Sequence, residues 1–223
     1  NVSKGENELT KKYQIVSADK LVVIENGVEI PDLKVSENNF ERNPKNIVCF
    51  SRFDYAKNSE LLIPILLGLK KLNQIEKFKF LIYGEGPNQN SLKELITKND
   101  LSNYISLEGT TSEVNKVLLN AFCYISTSRW EGMPLGVLEA FARGLPVIAT
   151  NVTGNFNIIE NNVDGFLFNI DEPYEASNLL IELSNDKNRW IDFSNNSRLK
   201  AERKYSIKRT ATETKELYLK TLN

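Results

Sequence analysis

The chain has 223 residues, 41% of them hydrophobic and 26% charged, an ordinary globular composition able to bury a substantial core. Its 28 Lys and Arg against 29 Asp and Glu leave a net charge of −1, which gives no global attraction to nucleic acid or to anionic lipid. There is no histidine, so a Ser-His-Asp or Cys-His nucleophile system, a His-ligated zinc site and a histidine general base are excluded within this chain.

The first twenty residues are polar and read as a lead-in to a sheet. Residues 21–25 (Leu-Val-Val-Ile-Glu) read as a strand closed by Asn26-Gly27, and residues 46–51 as a second. Apolar positions 61, 62, 65, 66, 69 and 72 follow a 3.6-residue period and predict a helix over 59–72. A strand over 78–83 ends at Gly84-Glu85-Gly86-Pro87, followed by a helix over 91–98, a strand over 104–107 ending at Gly109, and a short helix over 113–119. Residues 121–126 predict a strand that is nearly all apolar. The helix over 135–143 is opened by Pro134 and closed by Gly144, in keeping with the preference for Pro at helix starts and Gly at helix ends. Short strands over 146–149 and 166–168 follow, and from Pro173 onward the chain reads as helical and polar.

Strands alternating with helices at this spacing predict an α/β fold: a Rossmann-like, doubly wound parallel sheet with a helical C-terminal segment. Strands as apolar as 121–126 suit a sheet covered on both faces. Cys49 and Cys123 both sit in apolar runs and are expected to be buried free thiols, with no disulfide or metal role. No run approaches the ~18 consecutive apolar residues a membrane span needs. A soluble, cytoplasmic protein is expected.

In such sheets ligands bind beyond the carboxyl ends of the strands. Arg52 and Lys57 follow the strand over 46–51 and flank a helix start, where a bidentate guanidinium and a point charge suit a phosphate; taken alone they read more readily as surface cations. In Ser128-Arg129-Trp130-Glu131-Gly132-Met133-Pro134-Leu135-Gly136-Val137-Leu138-Glu139, free amides at the helix start would form an anion site. Gly132 and Gly136, lacking side chains, would let a ligand approach the backbone, and Glu131 would accept hydrogen bonds from hydroxyls. Glu139 lies in an apolar setting where a carboxylate needs a partner, either a ribose or a salt bridge to Arg143 four residues on. Gly84 and Gly86 lack the spacing of a dinucleotide fingerprint and form a tight turn. Gly109-Thr110-Thr111 could present backbone groups to a planar base.

Together these segments resemble the retaining glycosyltransferase family four. Ser51-Arg52-Phe53-Asp54-Tyr55-Ala56-Lys57-Asn58 is similar to its phosphate-binding Gly-Arg-Leu-x-x-x-Lys-Gly element, and Gly84-Glu85-Gly86-Pro87 to its Gly-x-Gly-Pro turn. Glu131 and Glu139, eight positions apart, give its Glu-x7-Glu motif. Gly144-Leu145-Pro146-Val147-Ile148-Ala149-Thr150 and Asp164-Gly165-Phe166-Leu167 resemble the segments that follow. Ser51 and Asn58 depart from the family's glycines, and Asn151-Val152-Thr153-Gly154-Asn155 lacks one glycine of its Gly-Gly turn.

The resemblance implies the donor-binding half of a GT-B enzyme that transfers a hexose or N-acetylhexosamine, with retention, from a nucleotide-diphosphate sugar, UDP-linked and without a metal or other cofactor. Arg52 and Lys57 would stabilise the leaving diphosphate. Glu131 would bind sugar hydroxyls, with the backbone of Gly132, Met133, Pro134, Leu135 and Gly136 meeting sugar and phosphate oxygens. Glu139 would hold the ribose, with Gly84, Gly86, Thr110 and Thr111 near the base. The acceptor, a glycan, polysaccharide or lipid-linked sugar, would bind an N-terminal domain absent from this chain, and the full enzyme could sit peripherally on a membrane. Residues 1–20, with Asn1-Val2-Ser3-Lys4-Gly5, would close that missing domain; 21–205 would be the nucleotide-sugar domain; 206–223 a helix crossing back. Two alternatives are a donor-binding module inactive on its own, and a sugar-nucleotide epimerase of the same fold, against which the Glu-x7-Glu spacing argues.

Overall fold

The computed structural model describes residues 3–17 and 20–222; Asn1 and Val2 of the expected domain boundary lie outside the described residues. Strands β1 (Lys45–Phe50), β2 (Phe78–Tyr83), β3 (Ile105–Gly109), β4 (Cys123–Ser126), β5 (Val147–Thr150) and β6 (Gly165–Phe168) form one all-parallel sheet in the order β3-β2-β1-β4-β5-β6. The order reverses between β1 and β4, whose neighbouring carboxyl ends open the crevice where doubly wound sheets bind ligands. Every residue of β4 and β5 is buried, as expected of central strands covered on both faces.

The helices are α1 (Lys4–Lys12), α2 (Asn38–Glu41), α3 (Leu62–Lys71), α4 (Gln89–Lys98), α5 (Val114–Leu119), α6 (Leu135–Ala142), α7 (Thr153–Ile158), α8 (Pro173–Asn185), α9 (Lys187–Lys204) and α10 (Ile207–Leu222). Given this strand order, the right-handed rule for parallel crossovers assigns α3 and α4 to one face of the sheet and α6 and α7 to the other. α8 returns to pack on α3, and α9 packs on α6. The predicted helix over 59–72 is split: Ser59–Leu61 is a 3₁₀ turn, and Pro64, having no N–H to donate, falls in the first turn of α3 where none is needed. α6 ends as its glycine foretold. Gly144 takes φ +64, its amide donates to Phe141 O at 2.9 Å, and Leu145 N donates to Ala140 O at 2.9 Å, a Schellman closure.

The expected strand over 21–25 does not form. Its apolar residues Val22, Val23 and Ile24 line a groove with α10 rather than a sheet edge, and Thr210 Oγ1 donates to Glu25 O at 3.0 Å. Just beyond it, Val28 makes a β-bridge with Ser206. Within the polar lead-in, α1 forms a helix packed on α7. α10 has no buried residue, and Ile207, Tyr218, Leu219 and Leu222 are exposed along it. No helix among the described residues is long and apolar enough to cross a membrane. Cys49 and Cys123 are buried free thiols.

Candidate functional site

Two loops meet over the strand-order reversal: residues 51–58 after β1 and 127–134 after β4. Arg129 N donates to Ala56 O at 2.8 Å, Thr127 Oγ1 to Lys57 O at 3.1 Å, and Arg129 Nη2 to Asn58 Oδ1 at 3.0 Å. This lacing brings Lys57 Nζ to 2.6 Å from Glu131 Oε1. Glu131 is only 11% exposed in its side chain and Lys57 32%, so the pair sits at the floor of the crevice. An ammonium has three donors, so Lys57 keeps donors for a second anion after pairing with Glu131.

Arg52 stands apart from that pair. Its side chain is 73% exposed and its guanidinium is held by Asp54, whose second oxygen accepts Lys57 N at 2.9 Å. Asp54 therefore organises both cations of the loop. The Lys57 amide, with Arg52 beside it, holds its carboxyl below the ordinary carboxylate range. Asp54 was not among the residues the motifs singled out, although an Asp whose carboxylate accepts the N–H three residues on is a recognisable cap-type contact. Asn58 explains one departure from the glycine-rich pattern: it adopts φ 51, a left-handed conformation that Asn tolerates better than most residues.

On the β4 side, Pro134 caps α6 with an extended backbone, leaving the amides of Leu135 and Gly136 at the helix start without a backbone acceptor among the described residues. Met133 is nearly buried, and its sulfur accepts Asn26 N at 3.1 Å, fixing the loop to residues 25–27. Gly132 and Met133, with Glu25, Gly154, Asn157 and Tyr205, line a cavity of about 300 Å³ beside the crevice.

Gly136 keeps its amide at the helix start but has no room for a side chain. A side chain there would collide with the hydroxyl of the buried Tyr124, so the glycine makes room for strand β4 under the helix. Gly84 and Gly86 likewise make room for protein: side chains there would strike the backbones of Ser51 and Phe53. The result is a continuous rim. Ser51 N donates to Tyr83 O at 2.9 Å, Phe53 N to Glu85 O at 3.0 Å, and Gly84 N to Gly109 O at 2.7 Å, joining the loops after β1, β2 and β3. Thr110 and Thr111 end that rim, and Thr111 Oγ1 accepts Glu113 N at 3.0 Å.

Glu139 is not part of the Lys57–Glu131 cluster. It pairs with the buried Arg143, the salt bridge that its i, i+4 spacing allowed, and Arg143 Nε donates to Asn115 Oδ1 at 2.9 Å. Asn115 lies four positions beyond Thr111, so Glu139 stands toward the β3 end of the rim.

Residues 32–200 match the family described as Glycosyl transferases group 1. The chain is 30% identical over 224 aligned residues to the Escherichia coli UDP-Gal:alpha-D-GlcNAc-diphosphoundecaprenol alpha-1,3-galactosyltransferase, covering 96% of this chain and 58% of that protein. It is 30% identical over 158 residues to the poly(ribitol-phosphate) alpha-N-acetylglucosaminyltransferase of Staphylococcus aureus, covering 70% of this chain and 31% of that one. Among solved structures, a mutant S. aureus TarM in complex with Fondaparinux, alpha-GlcNAc-glycerol and UDP superposes with a TM-score of 0.85 at 25% identity, over 97% of this chain and 43% of TarM. Anabaena HepE in complex with UDP and glucose superposes with a TM-score of 0.86 at 20% identity, over 97% of this chain and 61% of HepE. The chain thus spans little more than half the length of the E. coli relative and about a third of the S. aureus transferase. With the family match covering most of a sheet of this topology, the chain belongs to the group 1 glycosyl transferases and has the fold of the C-terminal Rossmann-like domain of GT-B enzymes.

Proposed function

We propose that this chain binds the nucleotide-sugar donor, a UDP-hexose or UDP-N-acetylhexosamine, for a retaining glycosyl transfer completed with an acceptor-binding domain. The observation that carries the reading is the 2.6 Å contact between Lys57 and Glu131, side chains 74 positions apart that converge at the strand-order reversal. A diphosphate lying between Arg52, Lys57 and the free amides at the start of α6 would meet two cations and a helix N-terminus. As the bond from the sugar's anomeric carbon to the diphosphate oxygen breaks, negative charge grows on that oxygen, and fixed donors aimed there lower the barrier. Glu131, an acceptor, would take hydrogen bonds from sugar hydroxyls, and Glu139 from the ribose. Two cations at the diphosphate support transfer without a metal ion. The UDP-Gal in the E. coli relative's name and the UDP in the TarM and HepE complexes support uridine as the base, and that relative's diphosphoundecaprenol substrate supports a lipid-linked acceptor at a membrane face.

A second reading follows from the share of the relative's length covered: a donor-binding module that takes up nucleotide sugar and transfers nothing until its acceptor domain is supplied. Calorimetric titration with UDP, GDP and ADP, with magnesium and with EDTA, tests the donor site. Saturable binding of UDP in preference to the others, equal in magnesium and EDTA, is expected. Binding that appears only with magnesium would contradict the metal-free reading, and absence of binding by all three would contradict the donor site.

A further inference from the structure

A buried polar chain runs from α7 to Glu131. Asn155, fully buried, donates through Nδ2 to Thr150 O at 2.9 Å and to Thr150 Oγ1 at 3.2 Å. Thr150, the last residue of β5 and also fully buried, donates its hydroxyl to Ser128 O at 2.6 Å. Ser128, 2% exposed, donates Oγ to Glu131 Oε1 at 2.6 Å, the same oxygen that faces Lys57 Nζ. Gly154, beside Asn155, lies so close to the Cβ and carbonyl of Glu131 that any side chain there would collide with them. The base of Glu131 is therefore fixed by a backbone wall and its tip by two donors on one oxygen.

The other oxygen is left different. Glu131 Oε2 carries no hydrogen bond among the described residues, yet it is not sealed from solvent. A carboxylate has about four lone-pair sites. Placing both protein donors on Oε1 presents Oε2 to whatever enters the crevice.

We propose that Ser128 is a positioning residue for donor-sugar recognition: with Lys57 it holds Glu131 Oε1, so that Oε2 faces the sugar hydroxyls. Thr150 and Asn155 serve the same end one and two steps back, by fixing the Ser128 backbone. This rests on the reading of Glu131 as a sugar ligand. Its physical basis is that a hydrogen bond from a sugar hydroxyl to an already oriented carboxylate costs no reordering when the ligand arrives, whereas a carboxylate free to rotate must be frozen first.

The test measures, by calorimetry on the full chain, the affinity for UDP and for the probes UDP-galactose and UDP-N-acetylglucosamine. The readout is the ratio of sugar-nucleotide to UDP affinity, which a general loss of structure would not lower selectively. Ser128→Ala is expected to leave UDP affinity within about twofold and to lower the ratio about fivefold, the scale of one ordinary net hydrogen bond. Ser128→Thr, which keeps the hydroxyl, is expected to restore it. Thr150→Val, which releases the Ser128 carbonyl, is expected to lower the same ratio and stands in should Ser128→Ala fail to fold. An unchanged ratio in Ser128→Ala beside a reduced one in Glu131→Gln overturns the role of Ser128 and leaves the sugar site standing. An unchanged ratio in Glu131→Gln as well, or a wild-type ratio of one, overturns both.

Discussion

The hydroxyl of Tyr124 fills the space that a side chain at position 136 would occupy. Tyr124 is buried in β4, and its hydroxyl donates to Phe50 O at 3.3 Å, at the end of β1. Helix α6 thus sits on the switch-point strands by virtue of a glycine–phenol contact directly below the candidate anion site. Gly136→Ala should destabilise the fold by about 1–3 kcal/mol through overpacking. Tyr124→Phe, which deletes the colliding oxygen, should recover most of that loss in the double variant. Urea unfolding of the four proteins checks this; additive losses would mean the contact does not set the helix position.

Asp164, from the Asp-Gly-x-Leu segment, has a structural part. Its carboxyl is fully buried, faces the ammonium of Lys200 and accepts Glu160 N at 2.8 Å. Burial lifts its pKa above the ordinary carboxylate value, and Lys200 opposes that lift. The folded state then holds this proton more tightly than the unfolded chain, so the contribution of Asp164 to stability falls as pH rises from about 4 toward the folded pKa. Lys200→Ala removes the opposing charge. It should cost about 3 kcal/mol at neutral pH, as for a broken buried pair, and extend the decline to higher pH. Unfolding midpoints at pH 5 and pH 7 check the sign: the variant should lose more than the wild type between the two.

Burial pushes the Cys49 thiol up to about 12 and raises Cys123 as well. Neither should react with a disulfide reagent in the native protein at pH 8, because the thiolate is the nucleophile. Both should react on unfolding. Native labelling of either would contradict the packing of β1 and β4.

Glu139→Ala should weaken uridine and UDP by the same factor, since a ribose contact is common to both. It should also lower stability modestly, because Arg143 keeps Asn115 Oδ1 and the Glu139 carbonyl as acceptors. Loss of UDP affinity with uridine affinity unchanged would place Glu139 at the phosphates instead.

The central strands were legible in the sequence because strands buried on both faces read as apolar runs, as Cys123–Ser126 does. The same reasoning failed over 21–25, where an equally apolar run is only partly buried, Val22 being exposed, and lines a groove beside α10 instead of pairing in the sheet. Apolarity alone names neither the covering element nor the extent of cover. The short helix Thr153–Ile158, with Thr, Gly and two Asn, has no helical signature, and Gly154 within it packs directly against Glu131. Gly136 showed that something approaches its backbone, but not that the visitor is Tyr124. Lys57 and Glu131 were legible as members of separate motifs. Their contact depends on β1 pairing with β4, and Ser128 offered no signal because a single buried hydroxyl has neither period nor spacing.

The most direct test is the UDP affinity of Arg52→Ala and Lys57→Ala against the wild type, measured by calorimetry alongside thermal unfolding. Each substitution should weaken UDP by about 1.5–3 kcal/mol, the range of hydrogen bonds to charged groups. Arg52→Ala should leave the thermal midpoint unchanged because the side chain is largely exposed, whereas Lys57→Ala, which strands Glu131, should lower it. Wild-type affinity for UDP in both variants would contradict a diphosphate site between the β1 and β4 loops.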